Sequence, residues 1–182
     1  MSGYDLPTST EISGREYRIR SDYRPILDIM GVLGEAPEVD EERAYTALSI
    51  FYEDFLEMPL SDIEDAIAYM LWFINGGDEP SGAKNPKLMD WNQDFPLIVA
   101  PVNRVVGQEI RSIDYLHWWS FLAAYREIGD CLFAQVVSIR KQKRKGKKLD
   151  KADDQFYREN RALVDFKVKE TESEMEILEE WT

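Results

Sequence analysis

The chain has almost no histidine or cysteine: one His117 and one Cys131 in 182 residues. One of each cannot build a transition-metal site, which needs clustered imidazole or thiolate ligands. A lone cysteine excludes an intrachain disulfide and is compatible with a reducing compartment. Cys131 stands among Leu132, Phe133 and Val136 and reads as a buried structural thiol. A nucleophile would need a histidine beside it, and no pattern links it to His117. His117 itself reads as a structural hydrogen-bonding residue. Long apolar runs are also missing. None approaches the ~20 residues of a membrane span. The opening MSGYDLPTSTEI has neither a basic nor an apolar signal region, so the expectation is an intracellular protein without membrane contact. Gly76-Gly77 and Gly82 lack the Lys-Ser/Thr partner of a phosphate loop, and no oxygen-rich loop resembles a calcium hand. Cations are scarce as well: 22 Lys and Arg face 35 Asp and Glu, a net charge of −13. That balance favours solubility and disfavours whole-molecule attraction to nucleic acid.

Carboxylates, by contrast, are plentiful. Acid–base catalysis needs two of them in a cleft whose surroundings separate their pKa values. The pairs Asp62/Asp65, Asp153/Asp154 and Glu172/Glu174 sit at expected helix starts or in the C-terminal stretch, where solvation and the helix dipole account for them. The chain is therefore expected to be no enzyme and to carry no cofactor or metal.

What is present is helix-forming material. The chain is 44% hydrophobic, enough for one sizeable core. Residues 10–20 alternate with period two around Ser13-Gly14 and predict a β-hairpin, which needs something to pack on. Ser21 or Asp22 caps a first helix near Arg24-Pro25, ending at Gly34. Asp40, Glu41 and Glu42 open a second, with Ala44, Leu48, Phe51 and Phe55 at helical spacing and Pro59 as its stop. Ser61 with Glu64 forms a capping box for a third, closed by Asn75-Gly76-Gly77. Residues 76–86 read as a flexible loop. Asp94 is expected to cap the next helix, which Pro101 should kink or split. Ser112 or Asp114 starts the aromatic helix, and Asp130 the one after it. A basic connector spans 141–148, and 150–166 suggests one last helix. The expected fold is mainly α: a single-domain helical bundle of about six to seven helices with a short N-terminal β-hairpin. It spans 1–166 (hairpin 10–20), followed by an acidic tail at 167–182. That tail reads as frayed, or as a short helix that docks on a partner.

The stretch 113–148 concentrates the binding candidates. Trp118, Trp119 and Phe121 crowd one helix. Neighbours on a helix lie ~100° apart, so one tryptophan fills the core and the other covers an adjacent helix or anchors an interface. Arg140, Lys143 and Arg144 belong to the basic run after it. Three readings rank in order: a solvated helix end and connector, contact with an acidic protein surface such as a neighbouring copy's residues 35–42 or tail, and nucleic acid. No stacking aromatics interleave these charges, so nucleic acid comes last.

Those residues also carry a likeness. Leu116 to Tyr125 (LHWWSFLAAY), the pair Ile139-Arg140, the basic stretch, and the close from Asp150-Lys151 through Phe156-Tyr157-Arg158-Glu159-Asn160-Arg161 resemble the bacteriophage gene-product-fifteen family of siphophages and prophages of Gram-positive hosts. The opening LPTSTEISGREYRIRSDYR is similar to that family's start. Members typically show more tyrosine and aspartate where this chain has FPLIVAPVNRVV. The resemblance implies a role in tail morphogenesis. The function expected from it is a chaperone in the host cytoplasm that binds the tape-measure protein and tail-tube subunits such as the major tail protein. The alternative is a structural virion component, a tail or connector subunit forming a ring. Homo-oligomerisation stays open. No catalytic residues come with the resemblance, and the partner-facing residues are expected beside the aromatic helix, near the Pro101 helix or in the acidic tail.

Overall fold

The computed structural model describes residues 5–34, 40–79 and 87–167. The chain is mainly helical, with a two-stranded N-terminal hairpin. The described residues divide into two compact units, with the division between Cys131 and Leu132. Against the six to seven helices expected, eight α-helices are seen among the described residues, five in the first unit and three in the second.

The first unit begins with β1 (Ser9–Ile12) and β2 (Arg15–Arg18), antiparallel with Ile12 opposite Arg15. Ser13 and Gly14 both have positive φ, +52° and +79°, which suits the twist of a two-residue hairpin turn. The inward face carries Thr10, Ile12 and Tyr17, all buried. α1 (Tyr23–Leu33) is capped by Asp22, whose carboxylate accepts the Arg24 N–H. α2 (Glu41–Phe51) is capped by Asp40 and stops at Phe51, eight residues before Pro59. The cause lies in Tyr52, which turns extended and bridges Ile19. Arg20 then donates to the carbonyls of Ser49, Ile50 and Tyr52 at 3.0, 2.8 and 2.9 Å. A guanidinium from the strap at 19–22, which follows the hairpin, thus satisfies the orphan acceptors at that helix end.

α3 (Ile63–Ile74) follows two 3-10 turns at Phe55–Glu57 and Leu60–Asp62. The expected Ser61–Glu64 capping box does not form: Asp62 precedes the helix without a side-chain cap, and Ser61 instead donates to the Asp62 carboxylate at 3.0 Å. Asp62 is drawn inward by the Tyr17 hydroxyl at 2.8 Å, and that bond holds its carboxyl below the usual range.

α4 (Trp91–Val106) starts four residues earlier than expected, capped by Asp90 rather than Asp94. Asp94 closes the reciprocal half, accepting the Asp90 N–H at 2.8 Å while Asp90 accepts that of Gln93 at 3.0 Å. The helix is unbroken through Pro101. A helical proline costs about 3 kcal/mol, whereas each fully buried Ile or Val returns ~1.5–3 kcal/mol. Ile98, Val99 and Val102 are all buried on this helix, so packing wins. Gly107, at φ +82°, ends it. α5 (Trp118–Arg126) completes the unit.

The second unit holds α6 (Leu132–Arg144), α7 (Lys151–Glu159) and α8 (Arg161–Val164). Two expectations are corrected here. Residues 141–144 form the last turn of α6, so the basic connector begins only at Lys145. The single helix expected over 150–166 is two, because Asn160 leaves helical geometry and its carbonyl accepts from Leu163 and Val164 at 3.0 and 3.1 Å. Cys131, expected to be buried, is half-exposed where the units join in sequence. The acidic tail from 168 on and the loop at 80–86 lie outside the described residues, as does 35–39 of the acidic stretch proposed as a contact.

Candidate functional site

The aromatic helix is anchored at its start by histidine chemistry. His117 is the cap of α5, replacing the expected Ser112 or Asp114. Its Nδ1 accepts the Trp119 N–H at 3.0 Å. Nε2 must then carry the proton and donates to the Pro7 carbonyl, also 3.0 Å. Burial pushes the imidazole pKa down, which preserves this neutral tautomer. Around it, residues 21–23 and 116–118 tie α1 to α5. Trp118 N donates to Ser21 O at 2.7 Å and Tyr23 N to Leu116 O at 3.0 Å. The Asp22 carboxylate accepts Leu116 N at 2.8 Å. Arg24 lies against Asp22 and donates to the carbonyls of Ile110 and Ile113.

Trp118, Trp119 and Phe121 come together, but mostly as scaffold. Trp118 and Phe121 are 0% exposed, so neither presents surface to a partner. They stack on each other at 5.5 Å, and Phe121 stacks on Tyr23 at 4.9 Å. Trp119 is half-buried against Trp72 and Phe73. The two adjacent indoles share a task. Trp118 Nε1 donates to Ile74 O and Trp119 Nε1 to Phe73 O, each at 2.9 Å. Both carbonyls lie in the last turn of α3, whose final acceptors have no partner within the helix; Phe73 O also accepts the Gly76 N–H at 3.0 Å, so Trp119 is a further donor to it. The rings crowd the chain there: a Cβ on Gly77 would stand 3.2 Å from the Trp119 ring, at φ +89°.

Arg140, Lys143 and Arg144 belong to the second unit. Arg140 is buried, donates to Val164 O at 2.7 Å and Leu163 O at 2.9 Å, and covers the Phe166 ring at 4.2 Å. Lys143 pairs with Asp165 at 2.7 Å and sits 3.6 Å over the Tyr157 ring. The paired carboxylate raises the Lys143 pKa against burial, and the Asp165 carboxyl is lowered in turn. Arg144 is exposed. Two of the three cations thus hold α6, α7 and α8 together.

Among the described residues, one concave surface lies beside the aromatic helix. A cleft of about 350 Å³ opens between α1 and α4, lined by Tyr23, Leu27, Trp91 and Phe95, with Arg24, Asp28, Asn92 and Arg111 at its edge. Its volume is at the small end of ligand pockets, which run ~300–1,000 Å³. Tyr23 and Leu27, like Trp91 and Phe95, are four apart and share a helix face. The second pair was not singled out in the sequence, although Asp90 followed by that spacing was the available signal. Glu109 fixes Arg111 at the rim with a fork at 2.7 and 3.0 Å. That contact, aided by Asn103, holds the Glu109 carboxyl down to about 2. A second, wider depression of about 550 Å³ is lined by polar groups of the hairpin strap together with Tyr115. Among the described residues no three His, Cys, Asp or Glu groups are placed to hold a metal ion, and no helix is long and apolar enough to cross a membrane.

The chain holds this hairpin, this capped aromatic helix and this arginine-closed C-terminal unit. It matches the family described as Bacteriophage Gp15 protein over residues 4–166 and belongs to that family. No curated protein and no solved structure matches it.

Proposed function

We propose that this phage protein is a tail-assembly chaperone that receives an apolar helical segment of the tape-measure protein in the cleft between α1 and α4. The observation that carries the reading is the cleft itself: Leu27, Trp91 and Phe95 remain partly exposed there although the core behind them is closed. An amphipathic helix docks in such a groove through apolar side chains spaced three or four apart. Arg111 and Asp28 at the rim supply polar contacts for the flanks. Residues 1–131 carry ten Lys and Arg against 24 Asp and Glu, and that charge would keep a complex with an aggregation-prone partner dispersed. Tail-tube subunits are the second partner expected, and the host cytoplasm is where the encounter would take place.

Co-expression with the cognate tape-measure protein tests this. Soluble tape measure co-eluting with the chain is expected, and Leu27→Glu with Phe95→Glu should lower the co-eluting fraction at least tenfold while leaving helix content unchanged. Equal tape-measure solubility with and without the chain would end the proposal. Stoichiometric presence in purified particles would favour a virion subunit instead.

A further inference from the structure

The segment 53–65 between α2 and α3 holds two leucines in water. Leu56 is 90% exposed and Leu60 87%. The segment is nevertheless pinned. Phe55, Met58 and Asp62 are buried, Asp62 is held by Tyr17, and Arg15 donates to the Glu57 carbonyl at 3.3 Å. With 55, 58 and 62 drawn inward, 56, 59 and 60 face outward. Single exposed leucines are ordinary. Two on a segment already fixed from behind have met in advance much of the ordering cost of binding.

The surroundings state what would bind. Residues 53–65 contain six carboxylates and no Lys, Arg or His. Arg18 reaches Glu53 at 3.2 Å and Asp54 at 3.8 Å. Glu57, Glu64 and Asp65 are exposed and, among the described residues, have no ion-pair partner. An apolar centre inside an unneutralised acidic rim suits long aliphatic stems that end in a positive charge. The same chain supplies them. Residues 141–148 hold six cations and no carboxylate. Lys143 is taken by Asp165, but Lys141, Lys145, Lys147 and Lys148 are exposed and unpaired among the described residues. The segregation extends to the units: residues 132–167 carry eleven Lys and Arg against five Asp and Glu, a net +6, opposite in sign to 1–131.

We infer that the 53–65 segment of one copy binds the basic end of α6 and the loop after it from a second copy. Lysine stems lie across Leu56 and Leu60, and their ammonium groups meet Glu57, Glu64 and Asp65. The contact is heterologous, so each copy keeps one unused acidic face or basic end, and growth into a ring or an open string follows. This inference does not rest on the chaperone reading, which concerns a different surface.

Sedimentation velocity of the full-length chain is the test. Association that grows with protein concentration at low salt and dissolves at high salt is expected, because the Debye length shrinks from ~30 Å at 0.01 M to ~3 Å at 1 M. Leu56→Ser with Leu60→Ser should weaken it at least tenfold. Glu57→Lys with Glu64→Lys, and separately Lys141→Glu with Lys145→Glu, should each sediment as monomer. Mixing those two charge-reversed proteins should restore association, since each retains the half the other lacks. A wild-type chain that stays monomeric at every concentration and salt overturns the inference. So does association that these variants leave intact, or a mixture that stays monomeric. All the altered residues are exposed, so unchanged circular dichroism separates loss of contact from loss of fold.

Discussion

The two compact units are made of similar short helices and are held together differently. Among the described residues, the first buries 23 apolar side chains besides proline, and the second only Phe133, Val136, Ile139 and Val164. The first unit also closes key helix ends with rings that belong to its core: two indoles on the end of α3 and an imidazole at the start of α5. The second closes α8 with the Arg140 guanidinium and ties α7 to it through Lys143, Asp165 and Tyr157. Where apolar burial is large, a cap and a packing residue can be the same side chain. Where it is small, cations aimed at carbonyls and carboxylates take over that part of the work.

The contrast can be broken most directly at Trp118. Trp118→Ala removes a fully buried ring and an α3 cap, and should cost about 3–5 kcal/mol. The denaturant midpoint of the first unit should collapse, read from exchange protection of α3 to α5, while α6 to α8 retain theirs. Equal loss in both units would show that they unfold as one. Arg140→Met should act in the opposite place with a smaller effect. Loss of its charge-assisted bonds to Leu163 and Val164 should cost about 2 kcal/mol, seen as faster exchange across α7 and α8 with α3 to α5 unaltered. The smallest effect is at His117. Its folded-state pKa is depressed by burial, so the neutral form is the stable one. The contribution is complete above the unfolded value near 6.5 and is lost as pH falls from there toward the folded value. His117→Asn keeps a side-chain acceptor for the Trp119 N–H but cannot titrate. The difference in melting temperature between the two proteins should therefore shrink as pH drops below about 6.5. A difference that stays constant would mean the ring is not held neutral.

Much of the fold could be read from local patterns, since the hairpin, Asp22, Asp40 and Gly34 act within a few residues of where they stand. Most failures share a cause. Asp94 gives up the cap locally, to Asp90 four residues earlier, but Ser61 and Ser112, plausible caps by type, were passed over through distant partners: Tyr17 claims Asp62, and Pro7 orients His117. Pro101 reads as a break because its cost is local while the burial that offsets it is tertiary. The binding candidates divide the same way. Composition pointed at Trp118, Phe121 and Arg140, which have the chemistry of anchors, yet their partners turned out to be the chain's own carbonyls and rings. Leu56 and Leu60 went unnoticed because nothing in a sequence distinguishes a leucine facing inward from one held outward.

The bond between His117 and Pro7 joins positions 110 residues apart, and Ser21, Asp22 and Tyr23 find their partners at 116–118. During synthesis Pro7 and Ser21 to Tyr23 therefore leave the ribosome long before these partners exist. Domains generally complete in the order they emerge; here the hairpin and its strap find α2 and Asp62 early, while their joint to α5 closes only later. Until residue 118 is out, Ser21 to Tyr23 have no docking edge, and the beginning of the chain waits for its middle.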